Sequence, residues 1–382
     1  MKRKVCVVTG TRADYGIYLP ILNKIVTHPA LELQLLATGM HLSPFYGETI
    51  KEIEKDQFPI SAKVDILLQN DNEGAMARSI GIGIMGMTQA FEDLKPDIVL
   101  VLGDRGEMLA ASIAASHLNI VVAHIHGGEV SGSIDESVRH AITKLSHIHF
   151  PSTLNSAERI KRMGEDSWRV FQVGAPRIDT IKSVELPTID QVFAKYEIPF
   201  EQKSYSMFVF HPVSTELTGV QSQIEECMEA LKELNEKFIV IMPNSDAGNQ
   251  EITNAYKKYS RDPRFVFIDN FSPLDYLSVL KNANSLVGNS SSGIIEAASF
   301  QIPVMNIGDR QRGREQSANV INVSADKEQI VKAFKEITSE SFKSSLNGVE
   351  NIYGDGRTSE RIIKVLADLE LNQKLLEKII SY

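Results

Sequence analysis

The chain has 382 residues, of which 43% are hydrophobic and 23% are charged. This is the composition of a globular protein, and the length is sufficient for two domains with full cores. The formal net charge of −9 argues against general nucleic-acid binding, which favours a basic surface.

The two cysteines, Cys6 and Cys227, are far apart in apolar surroundings and are expected to be free thiols. The apolar run at residues 5–8 has the length of a strand and lacks the cleavage site of a signal peptide. No apolar run approaches the roughly 20 residues needed to cross a bilayer. The sequence therefore predicts a cytoplasmic protein that does not contact membranes.

The first part of the chain alternates between strand-length apolar runs and helical runs. Strands are predicted at residues 4–8, 31–37, 97–102, 119–123, 148–150 and 169–172. Helices are predicted at residues 15–27, 76–94, 135–144 and 153–163, with another ending near residue 117. The alternation weakens around residues 174–198, so a domain boundary is expected near residue 174.

The same alternation returns in the second part of the chain. Strands are predicted at residues 207–210, 238–242, 264–268, 285–287, 303–307 and 320–323. Helices are predicted at residues 221–236, 251–259, 273–280, 294–298 and 359–380. The pattern assigns residues 1–173 and 174–382 to two domains. It also allows the last helix to cross back onto the first domain.

Alternation of this kind indicates an α/β fold with two doubly wound, Rossmann-type parallel sheets. Polar clusters follow the predicted strands, at residues 10–14, 39–41, 103–107, 124–129, 211–212, 243–244 and 288–293. Functional loops of such sheets lie at the carboxyl ends of the strands. We therefore expect these clusters to line a central cleft if the two sheets face each other.

The turn at residues 288–293 contains two glycines and three serines between a strand and a helix start. The unpaired N–H groups and dipole of a helix N-terminus attract phosphate, and Ser290 and Ser291 add hydroxyl donors. Glu296, about one turn further, is placed to accept hydrogen bonds from a sugar diol. An ordinary capped helix, whose serines satisfy only its own N–H groups, is the alternative.

The remaining clusters combine proton-transfer groups with cations. Carboxylates are found at Asp104, Glu129 and Asp135, imidazoles at His41, His126 and His211, and guanidinium groups at Arg12, Arg105 and Arg310. Arginines suit a diphosphate, whereas carboxylates and histidines suit proton transfer. Together they predict a nucleotide-linked substrate whose diphosphate leaves.

Structural roles are alternatives for several of these residues. Arg12 or Arg105 can pair with Asp14 or Asp104. His124 lies at the end of a predicted strand and is expected to belong to the core. His140 and His147 are also expected to have structural roles. Asp135 can be a helix N-cap. The glycine spacing is not a dinucleotide fingerprint, and metal binding, at most by His124 with His126, is a minor hypothesis.

Segments along nearly the whole chain resemble the hydrolysing UDP-N-acetylglucosamine 2-epimerases of sialic-acid biosynthesis. The segments are Gly-Thr-Arg-Ala-Asp-Tyr at 10–15, Gly-Asp-Arg at 103–105, His-Gly-Gly-Glu at 126–129, residues 134–144, 210–213, 288–293 and 306–311. The resemblance implies a GT-B-like fold, a small-molecule nucleotide-sugar substrate, no cofactor such as NAD, no catalytic metal, and a dimeric or tetrameric homo-oligomer.

The reaction implied by this resemblance converts UDP-N-acetylglucosamine and water into N-acetylmannosamine and UDP through 2-acetamidoglucal. The resemblance makes Asp104, Asp135 and His211 catalytic, Arg12, Ser290, Ser291 and Arg310 diphosphate contacts, Glu296 a ribose contact, and His41 and Arg105 further cleft residues that bind the substrate. Asn244, in the polar cluster at residues 243–244, is also predicted to bind the substrate. Many members of the family have glutamate where this chain has His126. Proton transfer therefore falls to His126, to Glu129, or to Asp104 and Asp135.

Because His126 differs from the glutamate of many family members, the identity of the sugar in the substrate is also left open. Related enzymes act on UDP-2,4-diacetamido-2,4,6-trideoxyglucose or on a GDP-linked sugar. Further alternatives are a non-hydrolysing 2-epimerase, a glycosyltransferase of the same fold, and a sugar-nucleotide sensor that binds UDP without turnover.

Overall fold

A computed structural model describes residues 2–68, 73–130, 134–212, 219–243 and 249–381. The chain divides into two compact units, the first made of Met1–Lys182 with Tyr353–Tyr382 and the second of Ser183–Ile352. The expected boundary at residue 174 lies inside the first unit by this division.

The first unit contains a parallel sheet with six strands among its described residues. The strands are β1 (Arg3–Thr9), β2 (Leu31–Thr38), β3 (Ile60–Val64), β4 (Ile98–Leu102), β5 (Val121–Ile125) and β6 (Ile148–Phe150). Their order, β3-β2-β1-β4-β5-β6, is the Rossmann order. Strand β4 is apolar along its whole length, and residues 5–8 of β1 are apolar and buried, because helices cover both faces.

The helices of this part are α1 (Arg12–Thr27), α2 (Ile50–Lys55), α3 (Glu73–Leu94), α4 (Gly106–His117), α5 (Ile134–Leu145), α6 (Leu154–Arg162) and α7 (Pro176–Ser183). The predicted strand at 119–123 begins and ends two residues later, and β3 was not predicted. Helix α1 begins three residues before the predicted start because Thr11 and Asp14 form a reciprocal capping box.

The second unit repeats this architecture. Its strands are β7 (Ser206–Val209), β8 (Phe238–Ile241), β9 (Phe265–Ile268), β10 (Leu286–Gly288), β11 (Val304–Ile307) and β12 (Val320–Val323). All are parallel, in the order β12-β11-β10-β7-β8-β9, which is again the Rossmann order. Both predicted doubly wound sheets are therefore confirmed.

The helices of the second unit are α8 (Ile189–Tyr196), α9 (Val220–Leu234), α10 (Asn249–Lys257), α11 (Pro273–Lys281), α12 (Ser291–Ile295), α13 (Lys327–Ile337) and α14 (Glu340–Ser345). Helix α12 begins at the second serine of the turn, before the predicted start at 294, because Ser290 caps it through the N–H of Ser292. A 3-10 turn, Ala297–Phe300, continues the chain.

The last part of the chain returns to the first unit as α15 (Thr358–Asp368) and α16 (Gln373–Leu376). Ile362, Ile363 and Leu366 belong to the same apolar core as β1 and α1. The single helix predicted at residues 359–380 is wrong, because Leu369 is extended and Asn372 caps a new helix.

Arg169 also explains why the predicted strand at residues 169–172 is wrong. This buried side chain closes a 3-10 turn, Ser167–Arg169, and donates hydrogen bonds to the carbonyls of Lys374, Leu375 and Glu377. Beyond the turn, the chain forms only an isolated parallel bridge, between Val170 and His149.

Both cysteines are buried free thiols, as predicted, and burial raises the pKa of Cys6 to about 12. Within the described residues, no helix combines the length and apolarity that crossing a membrane requires.

A buried ion cluster ties the C-terminal segment to β6. Glu165 accepts from Lys144 Nζ at 2.6 Å and from His149 Nε2 at 3.1 Å, and it lies 2.8 Å from Lys378 Nζ. Burial alone would raise the pKa of the Glu165 carboxyl, but these donors together lower it to about 2.

Replacing this carboxylate, Glu165→Gln, is expected to lower the free energy of unfolding at pH 7 by roughly 2–4 kcal/mol, because two lysines lose their buried anion. In the wild type the contribution is complete above the ordinary glutamate pKa of 4.5 and is lost as the pH falls toward 2. Urea unfolding at pH 7 and below pH 4 measures both effects. Glu158→Gln, which removes an exposed pair with Lys161, should change stability little; equal effects of the two substitutions would contradict this account.

Candidate active site

Four side chains meet at the carboxyl end of the first sheet, and we call them the carboxylate cluster: Asp104, His126, Glu129 and Arg139. Asp104 lies in the turn after β4, His126 and Glu129 follow β5, and Arg139 comes from α5. The parallel register of β4 and β5 brings the two turns together.

Arg139 is the centre of the carboxylate cluster and is 4% exposed. Its Nη2 donates to Asp104, while Nη1 donates to Glu129 Oε2 and to the backbone carbonyl of His126, both at 3.2 Å. One guanidinium therefore joins two carboxylates on different turns.

His126 and Glu129 form a close pair inside the carboxylate cluster. His126 Nδ1 lies 2.6 Å from Glu129 Oε1, which also accepts from Ser152 Oγ at 2.7 Å. Donation from Nδ1–H leaves the lone pair of the neutral ring on Nε2. Nε2 is buried and has no hydrogen-bond partner in the described structure. His126 also has a left-handed backbone with φ of 63°, which is uncommon outside glycine.

Asp104 is electrostatically coupled to two other carboxylates. Burial is the largest influence and raises its pKa, Asp135 and Glu129 raise it further, and Arg139 opposes them. Asp135 lies within the first turn of α5 and is exposed. Because the helix begins at Ile134, Asp135 is not the N-cap residue, so that alternative is wrong.

His41 lies beneath the turn that follows β1 and is fully buried. Its Nε2 is 3.0 Å from Thr9 Oγ1, which donates to Asp14 Oδ1, and its Nδ1 is 2.8 Å from Thr49 Oγ1. Burial lowers the pKa of His41 to about 4 and raises that of Asp14 to about 6. The imidazole is therefore neutral near pH 7, and its role as a substrate contact stays a prediction.

Arg12 and Arg105 do not form the ion pairs considered from the sequence. Arg12 Nε lies 3.0 Å from Glu52 Oε1, and both side chains are about half exposed. Arg105 Nη2 lies 3.0 Å from Glu107 Oε1, and Arg105 is 40% exposed at the carboxyl end of β4. Both guanidinium groups thus keep a surface that a ligand can contact.

The histidines assigned to structural roles have contacts that suit those roles. His124 is buried, and its Nε2 lies 2.7 Å from the Gly103 carbonyl oxygen. His147 Nδ1 accepts from the Val122 N–H at 3.0 Å. His140 Nε2 lies 3.6 Å from Glu136. Among the described residues, no group of three potential ligands is placed to hold a metal ion.

In the second unit, Asn289 organises the serine turn, residues 288–293, at the carboxyl end of β10. Its side chain accepts from the His211 N–H and donates to the His211 carbonyl, both at 2.8 Å. Its own carbonyl accepts from Arg310 Nη1 at 3.1 Å and from Gln311 Nε2 at 2.9 Å. His211, Arg310 and the serines are consequently brought together within this unit.

The serines of this turn also bind one another and Glu296. Ser290 Oγ caps the N–H of Ser292, and Ser292 Oγ accepts from Tyr276 and donates to Glu296 Oε2, both at 2.8 Å. Ser290 therefore caps helix α12, as the alternative interpretation of this turn predicted. Ser291 and Glu296 are partly exposed, so both capping and ligand contact can occur in one turn.

Gly288 is required where β10 approaches β7. Its φ is 126°, and a Cβ atom here would lie 2.0 Å from the Val209 carbonyl oxygen. Gly288→Ala is therefore expected to lower the free energy of unfolding by roughly 3 kcal/mol or more. Gly16→Ala, in the open interior of α1, should change it by under about 1 kcal/mol and stabilise the helix. Thermal unfolding compares the two variants, and equal melting temperatures would contradict this prediction.

Sequence reasoning missed the residues that connect the predicted ones: Arg139, Ser152, Asn289 and Tyr276. Arg139 lies inside the motif at residues 134–144, but nothing in the motif distinguished it as a site residue. Asn289 and Tyr276 act through hydrogen bonds between distant segments, which no local spacing reveals. Asn244, predicted to contact substrate, lies outside the described residues.

The two Rossmann-type sheets define a GT-B-like α/β protein, and the polar groups lie where such sheets bind ligands. The family model described as UDP-N-acetylglucosamine 2-epimerase matches residues 23–367, and the chain belongs to this family.

Two relatives and one solved structure illustrate the similarity. The UDP-N,N'-diacetylbacillosamine 2-epimerase (hydrolyzing) of Legionella pneumophila is 42% identical over 100% of both chains. The UDP-N-acetylglucosamine 2-epimerase of Neisseria meningitidis is 35% identical over 97% of this chain and 96% of its own. A crystal structure of UDP-GlcNAc 2-epimerase from Neisseria meningitidis bound to UDP-GlcNAc shares the fold, with a TM-score of 0.81, 22% identity and coverage of 95% and 99%.

Proposed function

We propose that the protein is a hydrolysing 2-epimerase of UDP-N,N'-diacetylbacillosamine, the UDP-linked 2,4-diacetamido-2,4,6-trideoxyglucose. The observation that carries this proposal is the 42% identity, along the full length of both chains, to the Legionella pneumophila enzyme of that name. The expected leading substrate, UDP-N-acetylglucosamine, becomes the second candidate.

The reaction proceeds in two halves. Loss of the C2 proton and cleavage of the C1–O bond release UDP and leave a C1=C2 double bond. Water then adds its oxygen to C1 while C2 takes a proton on the opposite face, which gives the free 2-epimer. Inversion at C2 thus needs two proton-transfer groups, one for each face.

The carboxylate cluster supplies the groups for these proton transfers. Asp104 has a raised pKa, which suits a carboxyl group that must both hold and release a proton. His126 presents an imidazole whose orientation is fixed by Glu129. Asp135 lies close enough to Asp104 to influence its charge and completes the set.

The second unit is proposed to bind the UDP that leaves. Ser290, Ser291 and Arg310 supply donors to the diphosphate, and His211 stabilises its developing charge. Glu296, held by Ser292, accepts from the ribose hydroxyls. In the first unit, Arg12 and Arg105 supply further cations for the substrate. Their exposure supports this assignment.

UDP-N-acetylglucosamine is retained as a candidate because the Neisseria meningitidis relative of that name is 35% identical. The two sugars differ at C4, where acetamido replaces hydroxyl, and at C6, where methyl replaces hydroxymethyl. A site whose polar atoms hydrogen-bond the C4 and C6 groups of one sugar leaves some of these atoms without a partner when the other sugar binds.

Parallel kinetics with the two UDP-sugars test the proposal. We expect kcat/KM for UDP release to be at least about tenfold higher with UDP-N,N'-diacetylbacillosamine, with the free 2-epimer as the other product. The GDP-linked form of the same sugar measures the preference for the nucleotide. A higher kcat/KM with UDP-N-acetylglucosamine would overturn the substrate assignment, and a product that keeps UDP would overturn hydrolysis.

A further inference from the structure

Arg139 connects the two turns that carry Asp104, His126 and Glu129 among the proposed proton-transfer groups. It lies 35 residues from Asp104 in sequence and 10 residues from Glu129. Its third contact is the backbone carbonyl of His126, at the residue with left-handed φ. A single side chain on α5 therefore fixes the turns after β4 and β5 relative to each other.

We infer that Arg139 is a positioning residue: its guanidinium sets the separation of Asp104 and Glu129, and through Glu129 the orientation of His126. The catalytic meaning of this inference rests on the proposed function. The contacts themselves do not depend on it.

The geometry requires arginine rather than a generic cation. Both Nη atoms of Arg139 are used, each toward a different carboxylate, and the planar guanidinium holds these two directions rigidly. A lysine ammonium is a compact charge that can sit beside one carboxylate but cannot bridge both at fixed directions. Arg139 Nε is buried and has no hydrogen-bond partner in the described part of the chain. The side chain is thus held by its two outer nitrogens.

The positive charge of Arg139 has a strong effect on the pKa of Asp104. The carboxylates of Glu129 and Asp135 lie close enough to Asp104 to raise its pKa. Arg139 lowers the pKa of Asp104 against burial and these two neighbours, and Arg105 is a second cation that is electrostatically coupled to Asp104. Removal of Arg139 should raise the pKa of Asp104 further. Whichever limb of the pH–rate profile Asp104 sets then moves to higher pH.

The kinetic test uses Arg139→Lys and Arg139→Ala. We expect Arg139→Lys to lower kcat by about 100-fold with KM changed less than about threefold, and the pH–rate limb of Arg139→Ala, which removes the charge, to move upward. Guanidinium, kept below unfolding concentrations, should restore part of the activity of Arg139→Ala but not of Arg139→Lys. The matched control is Arg264→Lys, which alters an arginine paired with Asp262 at 2.6 Å in the second unit and should leave kcat unchanged.

A second measurement does not depend on turnover. In protein labelled with 13C at the aspartate carboxyl carbons, Asp104→Asn identifies the Asp104 signal, and its titration is followed in wild type and in Arg139→Ala, which removes the charge. The expected result is an Asp104 pKa at least about one unit higher in Arg139→Ala.

The outcomes separate this inference from the proposed function. An unchanged Asp104 titration, or kcat of Arg139→Lys within threefold of wild type, overturns the positioning role. Lost activity with an unmoved pH limb and no rescue by guanidinium does so too, because it marks a merely structural arginine. If wild type releases no UDP from any sugar nucleotide but the titration shifts, the proposed function fails and the coupling of Arg139 to Asp104 stands.

Discussion

Asp104→Asn is expected to lower kcat for UDP-sugar turnover by about 10³-fold, with KM changed less than about threefold. The amide keeps the shape of the side chain and can still face Arg139, but it cannot accept or release a proton. Because the uncharged amide removes one of three coupled carboxylates, the fold should tolerate the change. Initial rates of UDP release across the substrate range measure both constants.

Asp93→Asn is the matched control, since Asp93 is exposed on α3, where it accepts a hydrogen bond from Gln89 Nε2 at 3.3 Å. It should retain wild-type kinetics. If Asp104→Asn kept more than about a third of wild-type kcat, Asp104 would have no part in proton transfer. The melting temperature of each variant excludes unfolding as the cause of any loss.

His126→Gln is expected to lower kcat by about 10²–10⁴-fold, because it replaces an imidazole that can carry a proton by an amide that cannot. His126→Glu has nearly the same shape as the glutamine variant but restores a group that transfers protons. It should therefore exceed His126→Gln by about tenfold or more, although repulsion from Glu129 limits the gain. The comparison isolates proton transfer from packing.

His117→Gln provides the control for a histidine replacement, since His117 is exposed at the end of α4. It should behave as wild type. Equal activity of His126→Gln and His126→Glu would show that the ring is needed only for shape. His126 Nε2 is buried by surrounding protein atoms. For the substrate to contact Nε2, these atoms must move when the substrate binds.

The fold could be predicted from the sequence because apolar strands and amphipathic helices alternate with a clear period. β4 and β5 are buried along their whole length, and each is followed by a polar turn. The alternation shows where a strand ends but not how one turn contacts another. Arg139 therefore escaped notice, since its partners lie on other segments.

Two errors have a common physical origin. Hydrogen bonds between distant segments form both where the helix predicted at residues 359–380 breaks and where the strand predicted at residues 169–172 is lost. Arg3 donates to the carbonyls of Leu366, Ala367 and Leu369 at the end of α15. Arg169 donates to the carbonyls of Lys374, Leu375 and Glu377. Burial of the His41 ring was equally hidden from the sequence, because polar contacts to Thr9 and Thr49 allow it.

The most direct test of the account is proton NMR of wild-type protein with UDP-N,N'-diacetylbacillosamine in D2O. Elimination followed by hydration predicts free UDP together with the free 2-epimer carrying deuterium at C2. Free sugar without deuterium at C2, or with the original configuration at C2, would contradict the account.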